Sequence, residues 1–206
     1  MSKFSNNYQK VTFIKHWTEN LFSFRIQRPA NLKFRSGEFV MIGLPNKDDK
    51  PVLRAYSIAS PSWSDELEFY SIIVKDGPLT SKLRNIKIND NIILMPKSTG
   101  TLVLDALKPG KRLFLLSSGT GFAPFSSLIR EPETYEKFEQ VIVTHTCRTI
   151  MELEYSLQTI SDCNNDKIIS EFIGNKLLSY FSTTREKYTN QGRITDIITS
   201  KKLFKD

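Results

Sequence analysis

A chain of 206 residues, 39% hydrophobic and 25% charged, has the make-up of a globular protein with one large domain or two small ones. No stretch reaches the apolar length of a membrane span, and the first residues lack a signal-like apolar segment, so the cytoplasm is the expected location. The net charge of +7 is spread along the chain, with no RNA-binding or zinc-finger pattern; this argues against nucleic acid and suits phosphorylated ligands or an acidic partner. Two cysteines, Cys147 in a strand and Cys163 in a loop, are too few for a disulfide framework or a four-thiolate cluster. His16 and His145 stand apart, so no metal site is expected, and His145 reads as structural.

Up to about Pro109 the chain reads as short strands separated by turns. The strands are Lys10 to Lys15, Leu21 to Gln27, Glu38 to Leu44, Leu53 to Ala59, Leu67 to Lys75 and Asn91 to Met95. A helical insertion at Leu79 to Arg84 follows the Asp76-Gly77-Pro78 turn. Six such strands predict a small antiparallel Greek-key barrel over residues 1–109.

After Lys108-Pro109-Gly110 the texture changes. Leu113 to Leu116 is apolar on both faces, as expected of a strand inside a parallel sheet. A glycine turn and a helix over Ala123 to Arg130 come next. Val141 to His145, a helix over Met151 to Ile160, Leu177 to Phe181 and a helix from Ile194 to Thr199 complete the pattern. Strand and helix in alternation predict an α/β doubly wound domain over residues 110–206.

Two motifs carry chemistry. In Arg54-Ala55-Tyr56-Ser57, alternate strand residues share a face, so Arg54 and Tyr56 can offer a guanidinium for phosphate and a ring for stacking. Gly119-Thr120-Gly121-Phe122-Ala123-Pro124 follows an apolar strand and opens a helix, the place where a backbone can approach a pyrophosphate. Thr80 or Ser81 lies near a helix start, either as a plain N-cap or as part of a phosphate site. Arg148 and Arg185 follow neighbouring parallel strands and Arg193 opens the last helix; arginines there favour a nucleotide bearing an extra phosphate.

These residues also carry a family likeness. Arg54 to Pro61, Asp76 to Ser81, Thr99 to Leu102, Gly119 to Phe125, Thr144 to Arg148, Thr183 to Glu186 and Gly192 to Asp196 succeed one another in a pattern that resembles the bacterial ferredoxin/flavodoxin–NADP reductases. The resemblance spans essentially the whole chain. It implies FAD as prosthetic group in the barrel, NADP(H) as substrate in the α/β domain, and ferredoxin or flavodoxin as electron partner. By matched position Arg54, Ala55, Tyr56 and Ser57 would hold the flavin, with Tyr56 and Ser57 nearest the chemistry. Tyr70, Ser71, Ile72, Ile73, Pro78, Leu79, Thr80 and Ser81 would take the rest of FAD. Thr120 would sit between the flavin and nicotinamide sites, with Gly119, Gly121 and Thr184 also binding cofactor, while Arg148, Arg185 and Arg193 would grip the 2′-phosphate of NADP.

The likeness departs at the C-terminus. Family members continue by roughly fifty residues that supply two further strands, so the doubly wound domain is expected to lack its last strands. That would leave Leu113 to Leu116 as an open edge, available for self-association or for a complementing chain. Flavin binding is then expected to survive better than NADPH turnover. Rival expectations are a free-flavin or oxygenase-component reductase, or a truncated flavin-binding fragment without catalysis.

Overall fold

The computed structural model describes residues 3–46, 50–201 and 203. The chain forms two compact units, Met1–Val103 and Leu104–Asp206, with the division six residues ahead of the expected change of texture at Pro109.

The first unit holds β1 (Tyr8–His16), β2 (Leu21–Gln27), β3 (Phe39–Gly43), β4 (Leu53–Ser57), β5 (Glu66–Ile72) and β6 (Asn91–Thr99), with one helical turn, α1 (Thr80–Leu83). All strand pairs are antiparallel, in the order β4-β3-β6-β1-β2-β5. The sheet curls until its two outer strands approach. The Ala59 N–H donates to the Glu68 carbonyl at 2.8 Å, and the Tyr56 and Ser71 hydroxyls lie 3.2 Å apart. Phe22, Phe24, Ile26, Val40, Ile42, Leu67, Phe69 and Ile92 fill the interior, each contributing about 1.5–3 kcal/mol by burial.

β6 runs beyond the expected Met95 through Pro96 to Thr99. Its pairing with β3 skips register there: Ile42 opposes Leu94 but Val40 opposes Ser98. Pro96 therefore sits in a bulge, where a missing N–H costs no ladder bond. At the other end of this unit, Leu79 is the residue before α1, and no side chain caps the helix. Neither Thr80 nor Ser81 acts as the expected cap: Thr80 Oγ1 bonds the Val74 peptide and the Ser81 hydroxyl bonds Gly77 O.

The second unit is built on β7 (Gly110–Ser118), β8 (Phe138–Cys147) and β9 (Leu177–Thr183), parallel and in that order. Around them lie α2 (Ala123–Leu128), α3 (Pro132–Lys137), α4 (Glu154–Asn165), α5 (Ile169–Ile173) and α6 (Ile194–Thr199). Helix α3 packs on β8 and α5, and α6 on β7 and β8. Short 3₁₀ turns at Gly119–Phe122 and Met151–Leu153 lead into α2 and α4. Cys163, expected in a loop, is instead a buried residue of α4, because the helix continues five residues past Ile160.

β8 is buried along nearly its whole length, as the middle strand of a covered sheet should be. β7 is an edge of this sheet among the described residues, as the resemblance implies and against the two-sided burial its composition suggests: Leu113 and Leu115 are buried, but Phe114 is half-buried and Leu116 is 41% exposed. No helix among the described residues is long and apolar enough to cross a membrane.

Candidate functional site

Residue by residue, the first unit brings part of the expected flavin set together. β4 pairs with β3 so that Arg54 opposes Ile42 and Tyr56 opposes Val40. Arg54 is exposed; among the described residues its guanidinium bonds its neighbour's carbonyl, Leu53 O at 2.9 Å, and makes no ion pair. An exposed guanidinium here fits a diphosphate. Tyr56 is half-buried, its ring edge-on to Phe69 at 6.2 Å and its hydroxyl against Ser71. Burial raises the phenol pKa, outweighing the Ser71 hydrogen bond, so the ring stays neutral. Ala55 is exposed and Ser57 half-exposed on the same strand.

β5 divides its residues by the period of two. Tyr70 is a core residue paired with Ser23, Ser71 reaches Tyr56, and Ile72 is exposed at the strand end. Ile73 leaves the strand and donates its N–H to Asn20 O at 2.7 Å.

The chain then turns tightly through Gly77. A Cβ there would collide with the Thr80 hydroxyl and lie 3.0 Å from Val74 O, so only glycine closes the loop without a shift. Pro78 is exposed and Leu79 is core, so Leu79 can present only its backbone to a ligand. The Ser81 N–H is already committed to Gly77 O at 3.1 Å. Ile73 and Ser81 share a cavity of about 450 Å³ with Val74, Lys75, Asp76, Arg84 and Asn85. Sequence reasoning missed Lys75 and Arg84 here, because only the fold sets the end of α1 beside the end of β5.

In the second unit the glycine turn follows β7 directly. Gly119 has φ +51°, a conformation that side-chain-bearing residues rarely adopt. Gly121 has no such constraint, and a Cβ on it would meet nothing within 4 Å. Neither strain nor protein packing therefore requires glycine at 121. Free space over an exposed backbone is what close approach of a phosphate needs, so the turn fits a nucleotide. Thr120 lies between the two, half-exposed.

Beyond β8 and β9 the loops are tied together by main-chain bonds. The Thr184 N–H donates to Cys147 O and the Arg185 N–H to Arg148 O, both at 3.0 Å. Thr184 Oγ1 also bonds Cys147 O. The Thr183 N–H meets Asn190 O at 3.2 Å, Ser182 Oγ bonds Gly192 O at 3.1 Å, and Arg193 immediately precedes α6. Arg148, Arg185 and Arg193 thus come to the carboxyl end of the sheet, all exposed and none in an ion pair among the described residues. The nearby carboxylates are engaged by backbone instead: Glu152 accepts the Arg148 N–H at 2.7 Å and Glu186 accepts the Ile150 N–H at 2.6 Å. Three unneutralised guanidiniums with their carboxylates occupied suit a dianionic phosphate. The roles of Glu152 and Glu186 gave no sequence signal, since each depends on which backbone amide the fold brings near.

His145 proves structural in its burial but not inert in its bonding, with its ring nitrogens on Gly119 O and Ser156 Oγ, each at 2.8 Å. Burial brings its pKa down to about 4, against the raising effect of the Gly119 bond. Burial also pushes the Cys147 thiol up to about 12, with the Glu152 charge adding to the shift. Cys163 rises to about 11 for the same first reason. Both thiols are buried and stay protonated at neutral pH, the form that is a poor nucleophile. No cluster of three or more metal-binding side chains occurs among the described residues.

Residues 9–113 match the family model for the oxidoreductase FAD-binding domain. The chain is 59% identical over 198 residues to a flavodoxin/ferredoxin–NADP reductase of Rhodobacter capsulatus, covering 96% of this chain and 73% of that protein. It is 47% identical to a ferredoxin–NADP reductase of Azotobacter vinelandii, over 97% of this chain and 77% of the other. Among solved structures, a ferredoxin NADP+ reductase from Neisseria gonorrhoeae with bound FAD and NADP superposes with a TM-score of 0.86 at 26% identity, covering 96% of this chain and 77% of that one. The free arginines, the open glycine turn and these relatives agree, and the chain belongs to the ferredoxin/flavodoxin–NADP reductase family.

Proposed function

We propose that this chain is an FAD-dependent ferredoxin or flavodoxin–NADP+ oxidoreductase. The observation that carries the reading is that one family member holds both Arg54-Ala55-Tyr56-Ser57 on β4 and an unobstructed Gly119-Thr120-Gly121 turn after β7. Bound FAD supplies the exchange of two electrons with NADPH and of single electrons with the protein carrier.

The protein's part is binding and orientation. Arg54 neutralises the flavin diphosphate, Tyr56 covers the ring with a neutral phenol, and Ser57 supplies a hydroxyl near the reacting nitrogen. Tyr70, Ser71, Ile72, Ile73, Pro78, Leu79, Thr80 and Ser81 form the remaining FAD surface, mostly through backbone, with Lys75 and Arg84 adding positive charge beside it. Gly119, Thr120 and Gly121 take the NADP pyrophosphate, and Arg148, Thr184, Arg185 and Arg193 its 2′-phosphate. No side chain is required as acid or base. A net charge of +7 favours encounter with an acidic ferredoxin or flavodoxin.

Residues 1–109 form the FAD domain and residues 110–206 the NADP domain in this reading. The free edge of β7, with Leu116 exposed, supports pairing with further strands from a second copy or a complementing chain. Two unpaired buried thiols suit the reducing cytoplasm.

The test is to reconstitute the purified chain with FAD, pass it through gel filtration, and follow flavin bleaching and ferricyanide reduction with NADPH and NADH. Retained FAD that NADPH bleaches in preference to NADH is expected. Loss of flavin on the column would instead mark a free-flavin reductase. Retained flavin that neither nucleotide bleaches would leave a flavin-binding protein and end the enzyme reading.

A further inference from the structure

His145 is 0% exposed, yet both of its ring nitrogens have partners. Nε2 lies 2.8 Å from the Gly119 carbonyl oxygen, which can only accept, so Nε2 carries a proton. The Cys147 sulfur is 3.2 Å from the same nitrogen. A thiol donating to a bare Nε2 would leave that nitrogen and the Gly119 oxygen as two acceptors in contact, which the geometry excludes. With the ring neutral, Nδ1 is an acceptor 2.8 Å from Ser156 Oγ at the start of α4, whose single proton is shared between Nδ1 and the Leu153 carbonyl, also at 2.8 Å. Phe122 stacks on the ring at 4.9 Å and Phe181 meets it edge-on at 6.3 Å. One imidazole thus joins β8, α4 and the turn after β7.

The bond to Gly119 decides how the turn is oriented. In a trans peptide the carbonyl and the following N–H point in opposite directions. Drawing the Gly119 carbonyl onto His145, inside the core, sends the Thr120 N–H outward. Glycine at φ +51° has access to the flipped peptide as well, and that flip would aim carbonyl lone pairs at an arriving phosphate. The free space over Gly121 lies in the same short turn.

We propose that His145 is a positioning residue for nicotinamide nucleotide binding: its Nε2–H holds the Gly119 carbonyl inward and so keeps the glycine turn in its anion-accepting orientation. The inference rests on the assignment of NADP(H) to this turn. It adds a residue that touches neither cofactor nor substrate.

The experiment compares His145→Phe, which keeps a ring against Phe122 but has no donor, with His145→Gln, whose side-chain amide can still donate to Gly119 O. NADP+ is titrated into the FAD-loaded proteins by calorimetry, with melting temperature and flavin content recorded in parallel. The Phe variant is expected to bind NADP+ about tenfold more weakly, the loss of roughly one hydrogen bond's worth of orientation, while Gln recovers most of the affinity and flavin content stays constant. Unchanged affinity in the Phe variant overturns the proposal. So does equal weakening in both variants that follows the fall in melting temperature.

A second measurement needs no variant to fold: ¹⁵N-histidine NMR of the unsubstituted protein at neutral pH. The Nε2–H tautomer is expected, and an Nδ1–H tautomer refutes the mechanism. Failure of the unsubstituted protein to bind NADP+ refutes the nucleotide assignment, and the inference falls with it. Binding by that protein, with no loss in His145→Phe, refutes the inference alone.

Discussion

The two sheets solve the problem of strand edges differently. In the first unit β4 and β5, the outer strands, turn back toward each other and are joined through Ala59–Glu68 and Tyr56–Ser71. In the second, β7 and β9 remain edges of a three-stranded sheet among the described residues. A sheet that meets itself hides its apolar faces with its own chain, whereas an open one leaves residues such as Leu116 and Leu178 in solvent. The same length of chain thus yields one unit that satisfies itself and one that offers surface. The candidate flavin residues lie on the self-satisfied unit.

The largest effect is expected in the closed unit. Phe69 packs tilted against Phe24 at 5.3 Å between ring centres and meets Tyr56 edge-on. Phe69→Ala should cost about 3–5 kcal/mol and release FAD, read by thermal denaturation and flavin absorbance. Retention of FAD at full affinity would show that Tyr56 does not depend on the core beneath it.

Acid should then act on the open unit through His145. Its pKa is 6.5 when unfolded and about 4 when folded, so between those values the unfolded chain binds the extra proton. Stability from this group is therefore complete above pH 6.5, falls as the pH drops through the window, and levels off below pH 4. The total is on the order of 3 kcal/mol. Urea titrations at pH 7 and pH 4.5 should show it, and His145→Phe should remove the pH-dependent part.

A smaller effect separates the nucleotides. Arg185→Ala should weaken NADPH by about ten- to a hundredfold, in line with loss of a charge-assisted bond, and leave NADH nearly unchanged. Equal losses for both would take Arg185 out of the 2′-phosphate site.

The smallest effect on stability is expected at the edge of β7. Leu116→Lys should change folding by no more than about 0.5 kcal/mol, because the side chain is already half in water. It should nonetheless suppress any concentration-dependent association seen in sedimentation velocity. Association that persists would move the contact away from this edge.

Much of this was written locally. The strand Leu21–Gln27 and the helix Ile194–Thr199 lie where periodicity puts them, and the glycine turn opens a helix as its residues demand. The short helices Pro132–Lys137 and Ile169–Ile173 escaped because five or six residues carry too little period to read. Pro96 concealed the far half of β6, since a bulge depends on the partner strand. Leu113 to Leu116 has the composition of a central strand; the family resemblance, and no local pattern, implied that its far side lacks a paired strand, as it does among the described residues. In the site, the arginines and glycines were legible by type and order. The pairings of Glu186 with Ile150, Ser156 with His145, and Arg84 with the end of β5 come from segments far apart in sequence.

The buried thiols of β8 and α4 have a practical corollary. Both cysteines belong to the second unit, while both tryptophans, Trp17 and Trp63, belong to the first. Thiols held at high pKa inside a folded unit react with a labelling reagent only when that unit opens. Labelling rates would therefore clock excursions of the second unit, and indole fluorescence those of the first. The molecule carries a separate built-in reporter for each.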